Sequence, residues 1–165
     1  MDWLIPPTIG AKCFMKRSRD HTLGALVDRW TKKAAIDLNA ARTLLSMECN
    51  DYFAPAFHSQ QAAEKYLKSL LTLRQIPFGK TRDIGKLIME AWIEHGEKSM
   101  LWPARRLTRY AVTFRYPSRR LVKKSDAVKA VKLADAVARY VKDQIEGRDT
   151  LWNGNKNSGK GPANG

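Results

Sequence analysis

His58 stands in a polar run, His58-Ser59-Gln60-Gln61, followed by Glu64, Lys65 and Lys68 within a stretch rich in alanine and leucine. An imidazole titrates near neutrality and can pass a proton, so His58 is the candidate acid or base there. The plainer reading is a buried histidine held by a hydrogen bond. A second set of residues could bind rather than react. Arg115, followed by Tyr116 and Pro117, could grip a phosphate with its planar fork while the tyrosine ring stacks on a base. Arg109, Arg119 and Arg120 lie close in sequence and extend that set. The alternative pairs Arg115 with Glu64 or Asp83 and places Tyr116 in the core. Lys80 and Arg82 flank an expected helix start, where backbone N–H groups favour anions. The sequence has no P-loop, no paired-glycine dinucleotide motif and no Cys/His metal spacing, so neither a metal nor a cofactor is expected.

Charge points the same way. Thirty Lys and Arg against sixteen Asp and Glu give a net charge of +14, and it is concentrated. Between Arg105 and Lys132, ten residues are basic and Asp126 alone is acidic. Such a run implies an anionic partner, nucleic acid first, because clustered cations displace the counterions condensed on phosphates. The bland alternative is a solvated face that only aids solubility.

Those residues need a scaffold, and 165 residues that are 44% apolar are enough for one packed domain. Cys13 and Cys49 lack partner spacing, which favours a reducing compartment. No apolar run is long enough to span a membrane, and the start does not read as a secretory signal, so a cytoplasmic location is expected.

Residues 1–22 read as a basic arm, 23–147 as the folded bundle and 148–165 as a flexible polar tail. A first helix is predicted from about Thr22 to Glu48, with Trp30, Ala34, Leu38, Ala41 and Leu45 on one face. Asn50-Asp51 breaks it. A second helix runs from Pro55 to about Arg74 and ends before Pro77 and Gly79. A third, capped by Thr81 or Asp83, carries Ile84, Leu87, Ile88, Ala91 and Trp92 and closes at His95-Gly96. A fourth is expected over Pro103–Phe114, with Arg105, Arg106 and Arg109 outward, and Pro117 follows as a break. The last runs from Asp126 to about Glu146, capped by Ser125 and closed by Gly147. About five helices and no strands predict an all-α, antiparallel, up-and-down bundle.

The order of motifs carries more than any one of them. Trp30, Ala34, Asp37-Leu38 and Ala41 come first, then Phe57-His58-Ser59-Gln60-Gln61-Ala62-Ala63-Glu64-Lys65-Tyr66-Leu67-Lys68. Pro77, Lys80-Thr81-Arg82-Asp83-Ile84 and Arg115-Tyr116-Pro117 complete the series. Over about residues 28–146 it resembles the HEPN domain family (higher eukaryotes and prokaryotes nucleotide-binding). The resemblance implies an all-α bundle, usually homodimeric, tied to nucleotides or RNA. It also implies a minimal nucleotidyltransferase as partner in a toxin–antitoxin pair. Many active members of that family are metal-independent ribonucleases with an Arg, four to six residues, then a His.

This chain departs from that motif. The positions five to seven before His21, His58 and His95 hold Phe14, Met15 and Lys16; Asp51, Tyr52 and Phe53; and Ile88, Met89 and Glu90. The expectation is therefore nucleic-acid or nucleotide binding without that cleavage chemistry. The alternatives are a ribonuclease toxin using His58 with Arg115, and a non-catalytic module docking an acidic protein.

Overall fold

The computed structural model describes residues 9–91, 93, 95–113 and 121–157, and the side chains of 21–91, 93, 96–111 and 121–147. Among them the chain is all helix and connection: α1 (Ile9–Ser46), α2 (Phe53–Leu73), α3 (Ile84–Glu90), α4 (His95–Leu101), a 3₁₀ segment (Trp102–Leu107), α5 (Thr108–Thr113) and α6 (Lys124–Asn157).

The core is built around α2. Its Ala62, Ala63, Tyr66, Leu67, Leu70 and Leu71 are wholly buried, and even its Ser59, Gln60 and Ser69 are sealed from solvent. A helix buried nearly all round must be covered on several sides. Here α1 lies along it on one side, α6 on another, and α3, α5 and the 3₁₀ segment close the rest. The buried serines satisfy themselves locally, Ser59 Oγ donating to the Pro55 carbonyl and Ser69 Oγ to the Tyr66 carbonyl, each at 2.7 Å. Fully burying each leucine contributes about 1.5–3 kcal/mol.

Asp51 fixes the directions of the long helices. Its Oδ1 accepts from the backbone N–H of Phe53 at 3.1 Å and of Val122 at 3.0 Å, and the Tyr52 N–H donates to the Val122 carbonyl. The starts of α2 and α6 therefore lie together. At the other end, the Arg74 guanidinium donates to Gln144 Oε1 of α6 at 2.8 Å and to the Ala91 carbonyl. Thus α6 runs beside α2 in the same direction, while α1 and α2 form the antiparallel pair that their short connection requires.

Helix α2 ends in a Schellman turn. Ile76 N–H reaches the Leu71 carbonyl and Gln75 N–H the Thr72 carbonyl, with Gln75 left-handed at φ 56°. Asp83 caps α3, its Oδ1 accepting from the Lys86 N–H at 3.1 Å, as the sequence suggested.

Several boundaries differ from expectation. Helix α1 starts at Ile9 rather than Thr22, and α6 continues past Gly147 to Asn157. Once a helix exists, each further residue adds a hydrogen bond, and one interior glycine costs only about 1 kcal/mol. Without a proline, neither Thr22 nor Gly147 is a stop. Ser125 lies inside α6, because the Lys123 carbonyl takes the first helical bonds, from the Asp126 and Ala127 N–H groups. His95-Gly96 opens α4 instead of closing α3, which ends at Glu90 with Ala91 as its C-cap. The single fourth helix expected is a 3₁₀ segment carrying Pro103 in its first turn, followed by α5.

Candidate nucleic-acid interface

The cationic candidates gather where α3 meets the 3₁₀ segment. At Gly85 a β-carbon would lie 3.2 Å from Asp83 Oδ1, 3.4 Å from Arg105 Cβ and 3.9 Å from the Trp102 ring, so α3 packs closely against the 3₁₀ segment there. The Ile84 N–H donates to Thr108 Oγ1 at 3.0 Å, locking the start of α3 to the start of α5. Lys80 and Arg82, exposed on the connection just before α3, are thereby carried to the same junction as Arg105, Arg106 and Arg109, which are exposed while Ala104, Leu107 and Tyr110 point into the core.

Aromatic rings support these cations. The Arg105 guanidinium lies 4.8 Å from the Trp102 ring, with Lys98 Nζ 6.0 Å from the same ring. Arg109 lies 4.7 Å from the Tyr110 ring and donates to its hydroxyl at 2.5 Å. Such contacts orient guanidinium planes, and a planar fork matches the geometry of phosphate oxygens. Lys123, Lys124, Lys129 and Lys132 add charge at the start of α6, where Lys124 Nζ lies 5.7 Å from the Tyr52 ring. Asp126 answers only weakly, at 4.0 Å from Lys129.

The backbone at α3 does less than its position promised. The Asp83 carboxylate already takes the Lys86 N–H, the Asp83 carbonyl takes the Leu87 N–H, and Thr108 takes that of Ile84. Any phosphate held there would meet the side chains of Lys80 and Arg82 rather than these amides. Arg115, Tyr116, Arg119 and Arg120 lie outside the described residues.

His58 sits elsewhere, on the α1–α2 seam. Its Nδ1 is 3.1 Å from Asp37 Oδ1, and Lys65 Nζ donates to Asp37 Oδ2 at 2.5 Å. From Lys65 a chain of side-chain hydrogen bonds continues through Gln61 and Gln60 to Glu64, and Lys68 Nζ donates to Glu64 Oε1 at 2.8 Å. Gln60 also donates to the Arg82 carbonyl at 3.3 Å, tying the seam to the α3 connection. Gln61 bonds to Gln60 and Lys65, and Glu64 to Gln60 and Lys68, all within α2, because adjacent and i,i+4 partners are in reach there. The His58 side chain is 33% exposed, so it is hydrogen-bonded as expected yet open on one side. Nothing in the sequence spacing couples Asp37 to a histidine 21 residues on.

The family model described as HEPN domain matches residues 27–144. Two solved structures are similar. ST0689, an archaeal HEPN homologue, is 26% identical, with 72% of this chain and 97% of that one covered and a TM-score of 0.56. TT1696 from Thermus thermophilus is 25% identical, with 71% and 96% covered and a TM-score of 0.58. No curated protein matches the chain.

Proposed function

The chain belongs to the HEPN domain family, and from that premise we propose that it binds nucleic acid or nucleotide phosphates through the cationic junction of α3, the 3₁₀ segment and α5. The observation that carries this reading is the outward set Arg105, Arg106 and Arg109, braced by Trp102 and Tyr110, with Lys80 and Arg82 beside it. Planar guanidinium groups match phosphate oxygens, and the lysines of α6 lengthen the field along which a strand could lie. Binding, rather than cleavage by the family's Arg…His pair, follows from the absence of that pair. The protein acts as a homodimer beside a nucleotidyltransferase in a toxin–antitoxin arrangement, a reading supported by the resemblance of its motif series. Co-purification of the neighbouring reading frame's product tests the partnership.

The binding reading is tested by titrating labelled single-stranded RNA and duplex DNA at two salt concentrations. Affinity that weakens steeply with salt supports it. No binding at low salt, or binding indifferent to salt, contradicts it.

One observation favours a second reading, a ribonuclease. Asp37 holds Nδ1 of His58, an arrangement that fixes an imidazole's orientation and leaves its other nitrogen for proton transfer. His58→Ala should then abolish RNA cleavage and toxicity, whereas under the binding reading it changes neither.

A further inference from the structure

The connection between α2 and α3, residues 75–83, carries Lys80 and Arg82 and contains no helix or strand. It leaves α2 at the Arg74 cap, yet Arg82 lies beside Gln60, towards the other end of the same helix. From Arg74 back to Gln60 the helix is about 21 Å long, at about 1.5 Å per residue, so the connection runs back along α2 as a strap. Side-chain contacts hold it there. The Phe78 ring packs edge-on against Trp30 at 6.1 Å, and Lys68 Nζ of α2 lies 5.9 Å from it. Further on, Gln60 Nε2 donates to the Arg82 carbonyl at 3.3 Å, and the Ile84 N–H is tied to Thr108 Oγ1. Lys80 and Arg82 thus sit on the span between Phe78 and α3, with their side chains exposed.

The Gln60 amide is wholly buried and fully engaged. Its Nε2 donates to Glu64 Oε2 at 3.1 Å as well as to the Arg82 carbonyl, and its Oε1 accepts from Gln61 Nε2 at 2.6 Å. Turned over, the amide would set its oxygen against a carboxylate and a carbonyl, so one orientation alone fits. We infer that Gln60 is a positioning residue for nucleic-acid binding: it pins the strap through the Arg82 carbonyl and so holds Lys80 and Arg82 at the junction with Arg105, Arg106 and Arg109. The inference rests on the binding reading given above. Gln60 is sealed from solvent and meets no ligand itself. It acts by ordering the two cations beforehand, so that less conformational freedom is lost when a strand reaches them.

Fluorescence anisotropy of a labelled oligouridine RNA, read across a salt series with the full chain, tests this. Gln60→Met keeps the side-chain volume and removes both donors, and it should weaken binding about two- to tenfold. Gln60→Asn keeps the amide but draws it back by one methylene, and it should do the same should the methionine variant fold poorly. Lys80→Ala/Arg82→Ala should make the slope of log K against log salt shallower by about 1.4, at roughly 0.7 per phosphate. Once those two side chains are gone, adding Gln60→Met should cost no further affinity, a non-additivity that a merely structural glutamine would not produce. Hydrogen exchange of the free protein should quicken at residues 79–83 in Gln60→Met and not along α2. Val141→Ala, which truncates a wholly buried side chain of α6, should lower Tm without changing affinity. If the wild type binds no RNA, the binding reading falls and this role falls with it. If the wild type binds and both Gln60 variants bind equally well, or if Gln60→Met costs as much without Lys80 and Arg82 as with them, this role alone is overturned.

Discussion

Glu64→Ala is expected to be among the most damaging single substitutions in this protein. Glu64 and Lys68 lie one helical turn apart on α2, their side chains only 10% exposed, and they meet at 2.8 Å. Deleting the carboxylate leaves an ammonium group sealed against apolar neighbours, a change that typically costs about 3–5 kcal/mol. Part of that is offset here, because Lys68 Nζ also lies 5.7 Å from the Trp30 ring and 5.9 Å from that of Phe78. Each ring contributes on the order of 0.5–1 kcal/mol, which brings the expected loss to about 1–4 kcal/mol. Lys68→Met should cost a similar amount, since Glu64 would keep only the Gln60 amide at 3.1 Å. Combining Lys68→Met with Glu64→Leu removes both charges, and the pair should recover most of the loss. Urea unfolding followed by circular dichroism measures all three variants. A loss below about 1 kcal/mol for Glu64→Ala, or strict additivity in the double variant, would refute the reasoning. If RNA binds at the proposed cationic junction, the folded fraction of Glu64→Ala should bind it as the wild type does, because Glu64 is buried inside the bundle.

Three further outcomes follow from the geometry. Gln75→Gly should raise stability by about 1 kcal/mol, since Gln75 occupies a left-handed position that glycine adopts without penalty, and thermal unfolding reads this directly. Burial raises Tyr66, and burial together with the hydrogen bond to Glu97 raises Tyr140, both above the usual 10.0. A phenol raised in the folded state stabilises the fold fully below about pH 10 and ever less as pH rises towards its folded value. Denaturation midpoints taken across the alkaline range should therefore fall above about pH 10, and less so in Tyr66→Phe. Asp51→Ala should cost about 1–3 kcal/mol, because its carboxylate receives the backbone N–H groups of both Phe53 and Val122. Chemical denaturation measures that loss.

The fold was legible because its helices follow their apolar periods. Ala34, Leu38 and Ala41 of α1 are buried as their spacing requires, as are Val131, Ala134, Ala138 and Val141 of α6. What local sequence could not supply were the contacts between distant segments. Asp51 capping two helices, Asp37 against His58 and Arg42 against Asp135 each join residues whose separation carries no period. Helix ends were the least legible, because a lone Gly147 or Thr22 reads as a stop only when the neighbouring residues also disfavour helix. The outward placing of Arg105, Arg106 and Arg109 did follow from the pattern of Leu107 and Ala111, although the backbone there is partly 3₁₀.

The most direct test of the central claim is the salt dependence of single-stranded RNA binding by the wild type and by Arg105→Ala/Arg106→Ala/Arg109→Ala. If the three guanidinium groups each meet a phosphate, the slope of log K against log salt should become shallower by about 2 in the variant, at roughly 0.7 per phosphate, with weaker binding at low salt. An unchanged slope and affinity in a properly folded variant would contradict the account.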